Sequence, residues 1–289
     1  MREDGDMDAK VDWQGRVEDA PLLEGKGQFG DDVKPKGALA GLFIRSPHAH
    51  ARILSVDTEA ARKSPGVIAV LSAESVAQMD LGSVTSPNPI HGWTGPAPIA
   101  PFRPIFARDR VMHVGEIVAL VVAETVRQAE DAAELVVVDY ETLDAVVDPE
   151  VAAAGTALLW PQAPDNTALL WSAPADEDGS RKRAVDAGFA SAAHVTRLKL
   201  TNQRIAVASL EPRVATGSYD AAADKYTLRV GTQGVWGIQM QTSAALKIPP
   251  NKLRVVNDDV GGGFGMKASG YPEYSALLIA ARGGPRSTT

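Results

Sequence analysis

Residues 256–273 have the sequence VNDDVGGGFGMKASGYPE, and this stretch constrains the backbone more than any other. Four glycines occupy the five positions 261–265, four residues after KLRVV (252–256), a run typical of a buried strand. Glycine tolerates positive φ angles and lets other groups approach the backbone closely, at a cost in conformational entropy. The stretch therefore predicts a demanding turn beyond a strand, or a backbone that lies against a ligand.

A second loop stands in the same position relative to a strand. YTLRV at 226–230 alternates in the way of a half-buried strand, and Gly231-Thr232-Gln233 follows it. The next segment, 235–248, has apolar residues at helical spacing. Ligands commonly lie beyond the carboxyl ends of strands in open sheets flanked by helices. If the two strands are neighbours, both loops face one site.

Two other interpretations of these loops stay open at this point. Gln233 could cap the following helix while the glycines only turn the chain, which is the usual role of an isolated glycine-rich loop. A dinucleotide-binding pattern fits only as Gly263, Gly265 and Ala268, and it requires an acidic residue about 20 positions later. No Asp or Glu follows Glu273, and no GxxxxGK phosphate loop is present. Nucleotide binding is therefore disfavoured.

The composition of the chain excludes several classes of function. The chain of 289 residues has a net charge of -7 and no basic face beyond the short run SRKR at 180–183, which argues against nucleic-acid binding. It has no cysteine, so it holds no disulfide and no iron–sulfur cluster of the usual ligation. The polar N-terminus resembles no signal peptide, and no window of about 18 apolar residues occurs. We expect a cytoplasmic protein that does not bind membranes.

The remaining chemical side chains form no convincing catalytic or metal-binding set. His48 and His50 are spaced i,i+2, but a structural role is the more frequent one for such a pair. Asp258 and Asp259 are adjacent, so on a strand their carboxylates face opposite ways and cannot work as an acid/base couple. No GxSxG elbow accompanies a histidine. We assign no catalytic residue and no metal ligand to this chain.

The pattern of elements predicts an α+β fold in two domains. Residues 20–150 contain two strand–helix–strand units, with strands at 38–46, 67–72, 116–123 and 136–141. Residues 151–180 mix Ala, Pro, Asp and Gly without periodicity, which predicts a linker. Residues 181–283 form the second domain, which begins with a short helix at 184–190 and continues with strands at 194–200, 226–230 and 252–256.

Several motifs together resemble one enzyme family. The runs RSPHAHARI (45–53), PGVIAVLS (65–72) and the segment 106–141 are similar to the hammerhead domain of the xanthine dehydrogenase and aldehyde oxidase family. LEPRVATGSYD (210–220), GTQG (231–234) and VGGGFGMK (260–267) resemble the first molybdenum-cofactor-binding domain of that family. The order of motifs also matches. VGGGFG followed by YPE is most similar to the branch of aerobic carbon monoxide dehydrogenase large subunits.

The resemblance implies a cofactor site in the two loops. In the family, the Gly-Gly-Phe-Gly turn lies against a molybdenum held by a pterin dithiolene, which corresponds here to Gly262, Gly263, Phe264 and Gly265. The glutamine that hydrogen-bonds an oxo ligand of molybdenum corresponds to Gln233. The implied cofactor is molybdenum–molybdopterin in the cytosine dinucleotide form. A neutral donor aimed at a changing oxygen charge follows the logic of an oxyanion hole.

The resemblance also implies an activity and partners. Family members hydroxylate an aldehyde or an N-heterocycle, or oxidise carbon monoxide, with oxygen from water, and pass two electrons to iron–sulfur and flavin centres. Because this chain lacks cysteine, those centres would lie on an Fe–S small subunit and an FAD medium subunit, in a dimer of heterotrimers. The substrate pocket is lined by segments that match no part of this chain.

The chain departs from the family pattern at its end. Family large subunits continue for several hundred residues, and that continuation carries the glutamate that serves as catalytic base. The last residues, ARGGPRSTT at 281–289, match the continuation only loosely. We therefore expect a truncated or frame-shifted fragment with an incomplete cofactor-binding domain, inactive alone. The alternative is a non-catalytic remnant or a module that binds partner subunits.

Overall fold

The computed structural model of the chain describes residues 15–16, 18–84, 98–155, 157–170, 178–203 and 205–283. The tail at 284–289 and residues 171–177 of the predicted linker lie outside this set. The described elements, in chain order, are α1 (Asp19–Leu23), β1 (Ala40–Arg45), β2 (Ala51–Asp57), α2 (Glu59–Arg62), β3 (Val67–Ser72), β4 (Arg110–Val111), β5 (Ile117–Ala123), α3 (Val126–Ala133), β6 (Val137–Thr142), α4 (Pro149–Ala153), α5 (Ser180–Ser191), β7 (Ala215–Asp220), β8 (Lys225–Val230), α6 (Val235–Leu246), β9 (Leu253–Val256) and α7 (Pro272–Ala281), with 3₁₀ turns at Pro164–Asn166 and Pro250–Lys252.

The first half of the chain folds into two three-stranded antiparallel sheets. One has the order β1-β5-β3 and the other β4-β2-β6. All seven residues of the central strand β5 are buried, which explains its uninterrupted apolar sequence. Helix α3 begins where the Thr125 hydroxyl accepts a hydrogen bond from the Gln128 N–H at 3.3 Å. Its buried alanines pack on that sheet. The predicted α+β class is confirmed.

The second half places its two loops side by side. Its sheet has the order β7-β8-β9, and β8 pairs with β9 in parallel, from Tyr226 opposite Leu253 to Arg229 opposite Val256. Helix α6 is the crossover between these parallel strands. Because parallel strands end at the same edge of a sheet, the loops after Val230 and Val256 start as neighbours. The condition for a shared site, that the two strands are neighbours, is therefore met.

The two halves share one hydrophobic core. Its largest cluster joins residues of β3 and β5 to residues of β8, α6 and α7. Arg45 on β1 donates a hydrogen bond to Glu273 Oε1 on α7 at 2.8 Å, while Glu273 Oε2 is buried without a partner among the described residues. The Gly82 N–H donates to the Ala245 carbonyl at 2.8 Å. These contacts cross between the predicted domains.

One predicted strand is wrong. Residues 194–200 alternate as a half-buried strand should, yet they form no strand, and Leu198 and Leu200 are 75% and 79% exposed. A strand requires a neighbour for its backbone N–H and C=O groups, and no described strand pairs with this segment. The helix predicted at 184–190 is longer, because α5 spans Ser180–Ser191. The predicted linker also contains a helix end and a 3₁₀ turn. No helix in the described part of the chain is long and apolar enough to cross a bilayer.

Candidate functional site

Hydrogen bonds join the two loops directly. Gln233 Oε1 accepts from the backbone N–H of Gly265 at 2.9 Å and from that of Lys267 at 3.2 Å. The Gln233 N–H in turn donates to the Lys267 carbonyl at 3.0 Å. The hydroxyl of Thr232 donates to the same carbonyl at 2.8 Å. The residues predicted from the two loops therefore meet at the carboxyl edge of β8 and β9.

The Gln233 amide has a defined orientation. Two backbone N–H groups converge on one of its atoms, and only the oxygen can accept both. Its Nε2 group therefore keeps two N–H donors that have no partner among the described residues, and the residue is exposed. The capping interpretation is wrong, because no side chain caps α6 at Gly234 and the Gln233 oxygen is used by the glycine loop. Gln233 presents a neutral donor.

The glycine loop has an unusual backbone. Gly262 and Gly265 have φ angles of 99° and 87°, and Phe264 between them has a φ of 49°. A residue with a side chain in this left-handed region costs about 1–2 kcal/mol. The Phe264 ring offers little burial in return, since the residue is 77% exposed. Local strain of this kind, held in an exposed loop by its surroundings, is typical of functional sites.

The glycines make room for Gln233 and leave backbone donors free. A Cβ atom on Gly263 would lie 2.6 Å from Cγ and Cδ of Gln233, closer than real Cβ contacts. The backbone N–H groups of Gly262, Gly263 and Phe264 donate to no described residue. Together with Gln233 Nε2 they form a set of neutral donors. Such a set fits the oxygen atoms of a molybdenum–molybdopterin cofactor, because donors held in place favour oxygen that carries partial negative charge.

A buried ion pair lies behind the glycine loop. Lys267 Nζ donates to Glu211 Oε2 at 2.6 Å, and the two side chains are 0% and 9% exposed. The sequence prediction gave neither residue a role, although both stand in the quoted motifs. A single lysine after a glycine run carries no sequence signal for burial, so only the packing reveals it.

The other candidate side chains have structural partners. Asp258 pairs with Arg229, whereas Asp259 accepts from the Gln28 N–H at 2.8 Å, so the two carboxylates diverge as expected. His50 Nδ1 lies 2.8 Å from the Asp144 carbonyl oxygen, and His48 packs edge-on against a tyrosine ring. In the part of the chain that the structure describes, no group of three or more His, Asp or Glu side chains is placed to hold a metal ion.

Two family descriptions match the chain. Residues 24–144 match the aldehyde oxidase and xanthine dehydrogenase a/b hammerhead domain. Residues 162–287 match the molybdopterin cofactor-binding domain. The glycine loop and Gln233 lie within the second match.

Known proteins similar to the chain include the large subunits of a nicotine hydroxylase and of a carbon monoxide dehydrogenase. The nicotine 6-hydroxylase large subunit of Paenarthrobacter nicotinovorans is 34% identical over 92% of this chain and 31% of its own length. The carbon monoxide dehydrogenase large chain of Afipia carboxidovorans is also 34% identical, over 92% of this chain and 32% of its own. The crystal structure of quinoline 2-oxidoreductase from Pseudomonas putida 86 superposes with a TM-score of 0.81 at 33% identity, covering 93% of this chain and 32% of that one. The chain thus spans about a third of these relatives.

Proposed function

Because the chain belongs to the aldehyde oxidase and xanthine dehydrogenase family, we propose that it forms part of the molybdenum–molybdopterin site of an oxidoreductase. The observation that carries the proposal is the Gln233 amide. Two backbone N–H groups hold its oxygen, so that its NH₂ group faces away from the loop as a donor. The NH₂ group is not needed to hold the two loops together and stays available to a ligand.

The proposed cofactor-binding residues are Gln233, Gly262, Gly263, Phe264 and Gly265. The three free N–H groups of residues 262–264 and the Gln233 NH₂ would donate hydrogen bonds to oxygen atoms of the cofactor, which we propose to be the cytosine dinucleotide form. When bound, the cofactor would supply a two-electron oxidation of the substrate with oxygen from water. The part of the chain is to place neutral donors that need no rearrangement as oxygen charge changes.

The substrate class is an aldehyde, an N-heterocycle or carbon monoxide. A nicotine hydroxylase and a carbon monoxide dehydrogenase are equally identical to the chain, so identity gives no preference among these. Electrons would leave through an Fe–S small subunit and an FAD medium subunit in a cytoplasmic complex. A chain without cysteine offers no thiolate for an iron–sulfur cluster, which supports this division among subunits.

Cofactor binding is tested by a glycine substitution with a matched control. In Gly263→Ala the new Cβ would lie 2.6 Å from Gln233 side-chain atoms and would displace the amide. In Gly188→Ala, on exposed α5, a Cβ has nothing within 4 Å. The protein is produced in a host that makes molybdopterin, and molybdenum per chain is measured by mass spectrometry, with the released nucleotide identified after acid hydrolysis. We expect a loss of about tenfold in molybdenum for Gly263→Ala only, equal to about 1.4 kcal/mol.

Either of two results would contradict the proposal. Wild-type protein that carries no molybdenum or pterin from such a host would remove its basis, and equal metal content in both variants would show that the loop does not contact the cofactor. Catalysis is measured separately, as reduction of an artificial electron acceptor by each substrate class in the presence of the partner subunits. Cofactor binding without any turnover would favour the non-catalytic, subunit-binding alternative.

A further inference from the structure

The ion pair behind the glycine loop is unusually buried for two charges. Lys267 is fully buried, and its ammonium donates both to Glu211 Oε2 at 2.6 Å and to the Glu211 backbone carbonyl at 2.9 Å. Burying an ammonium group is costly unless a partner and further hydrogen bonds compensate it. Removal of either side chain would leave the other charge buried without a partner, so the two side chains hold each other in place.

The Glu211 carboxylate ties three segments of the chain together. Its Oε1 accepts from the Gly30 N–H at 3.0 Å, and its Oε2 accepts from the Gly261 N–H at 2.9 Å. Burial raises the pKa of Glu211, but the hydrogen bonds from Lys267, Gly30 and Gly261 outweigh it and hold the pKa below its ordinary value. The carboxylate is therefore ionised at neutral pH, and it can accept hydrogen bonds from all three donors.

Lys267 connects this carboxylate to Gln233. Its side chain contacts Glu211, while its backbone N–H donates to Gln233 Oε1 and its carbonyl accepts from the Gln233 N–H. At the other end of the loop, Gly261 is held by the same carboxylate. The stretch between these anchors, residues 262–266, carries the free backbone donors.

We infer that Glu211 and Lys267 are positioning residues, which fix the glycine loop at the correct place relative to the donor amide of Gln233. This inference rests on the proposed function, because positioning matters for chemistry only if the loop and Gln233 contact the cofactor. Neither residue is assigned to touch the cofactor. Their effect is to keep two donor groups from different strands in one arrangement before any ligand arrives.

The variant Glu211→Gln tests the inference with the smallest change of shape. A glutamine has one oxygen and one NH₂ group, so its NH₂ must face the N–H of Gly30 or of Gly261, where two donors would meet. The matched control is Glu141→Gln, since Glu141 forms an exposed ion pair with Arg52 at 2.6 Å in the other half of the chain. Both proteins are compared with wild type well below their melting temperatures.

Two readouts are measured, one of them independent of the cofactor. Hydrogen–deuterium exchange is followed in peptides that cover residues 261–267, where we expect exchange about tenfold faster in Glu211→Gln and unchanged in Glu141→Gln. Molybdenum per chain is measured in the same proteins, and we expect about a fivefold or greater loss in Glu211→Gln alone. If Glu211→Gln does not fold, Glu211→Asp, which keeps the charge on a shorter side chain, takes its place.

The outcomes separate this inference from the proposed function. Unchanged exchange at 261–267 overturns the inference, and so does faster exchange with full molybdenum content. Wild-type protein without molybdenum overturns the proposed function, and with it the reason to call the pair a positioning device. Faster local exchange together with molybdenum loss, both absent from Glu141→Gln, supports the inference.

Discussion

Replacing Gln233 by glutamate reverses the proposed donor without changing its shape. In the structure Oε1 of Gln233 accepts from the N–H groups of Gly265 and Lys267, at 2.9 and 3.2 Å. A glutamate keeps both bonds, because a carboxylate oxygen accepts at least as well as an amide oxygen. The other atom, however, changes from a donor into a charged acceptor. Gln233→Glu therefore retains the loop but loses the group that we propose donates to the cofactor.

The two energetic effects of this change have different sizes. The fold keeps its loop contacts, so we expect a stability change below about 1 kcal/mol, which shifts the melting temperature by no more than about 4 °C. Loss of one hydrogen bond to a charged oxygen group costs about 1.5–3 kcal/mol. Since each 1.4 kcal/mol is tenfold, cofactor retention should fall roughly 10- to 150-fold, and repulsion between like charges adds to that loss.

The assay measures molybdenum per chain and the melting temperature on the same samples. The control is Gln128→Glu, an identical change of charge in the first turn of α3, where a carboxylate suits the positive end of the helix. We expect Gln128→Glu to keep its molybdenum. Full molybdenum content in Gln233→Glu at an unchanged melting temperature would refute the reasoning, since no donor would then be needed at this place.

Three further predictions concern stability. Leu228 is fully buried in β8, so Leu228→Ala should lower the free energy of unfolding by about 2–5 kcal/mol in urea titrations, and a loss under 1 kcal/mol would contradict the described core. Glu273→Gln should lower the free energy of unfolding by about 1–2 kcal/mol, because the 2.8 Å hydrogen bond with Arg45 loses its charge. A variant as stable as wild type, together with a wild-type stability that does not depend on salt, would contradict a contact between the halves. Burial raises the pKa of Glu211, but the hydrogen bonds from Lys267, Gly30 and Gly261 outweigh burial, so the pKa in the folded state is lower than in the unfolded state. The ionised carboxylate therefore stabilises the fold fully above about pH 4.3, the unfolded-state pKa. This stabilisation is lost as the pH falls through the lower pKa of the folded state. Urea unfolding from about pH 6 to about pH 3 should show this loss in wild type and not in Glu211→Gln.

Local sequence pattern predicted several of the buried elements, but it did not predict the strands β2 and β7. The apolar run of β5 and the helical spacing of α6 were predicted within a few residues of their observed bounds. The strand predicted at 194–200 is not observed, because alternating polarity indicates which side chains would face a core but not whether a partner strand is present. Residues Leu198 and Leu200 have the spacing of a strand and no strand to pair with among the described residues.

The local features of the candidate site could be predicted from the sequence, but its long-range contacts could not. A glycine run after one strand and Gly-Thr-Gln after another indicated a shared edge, since both features are local and only the pairing of β8 with β9 had to be assumed. The orientation of the Gln233 amide depends on backbone groups 32 and 34 positions away, so no local pattern contains it. The same holds for Lys267 and Glu211, which are 56 positions apart in the chain.

The separation of charge from donors gives the site its chemical character. Lys267 and Glu211 carry opposite charges 2.6 Å apart, so their fields largely cancel at the glycine loop, and the donors proposed above are all neutral. A charged donor in their place would bind an anionic oxygen more tightly but would favour one charge state of the ligand over the other. Neutral donors held in place by a buried ion pair, as we infer, would bind both charge states with a smaller difference in free energy. That combination would suit the proposed cofactor, whose oxygen charge would change during a redox cycle.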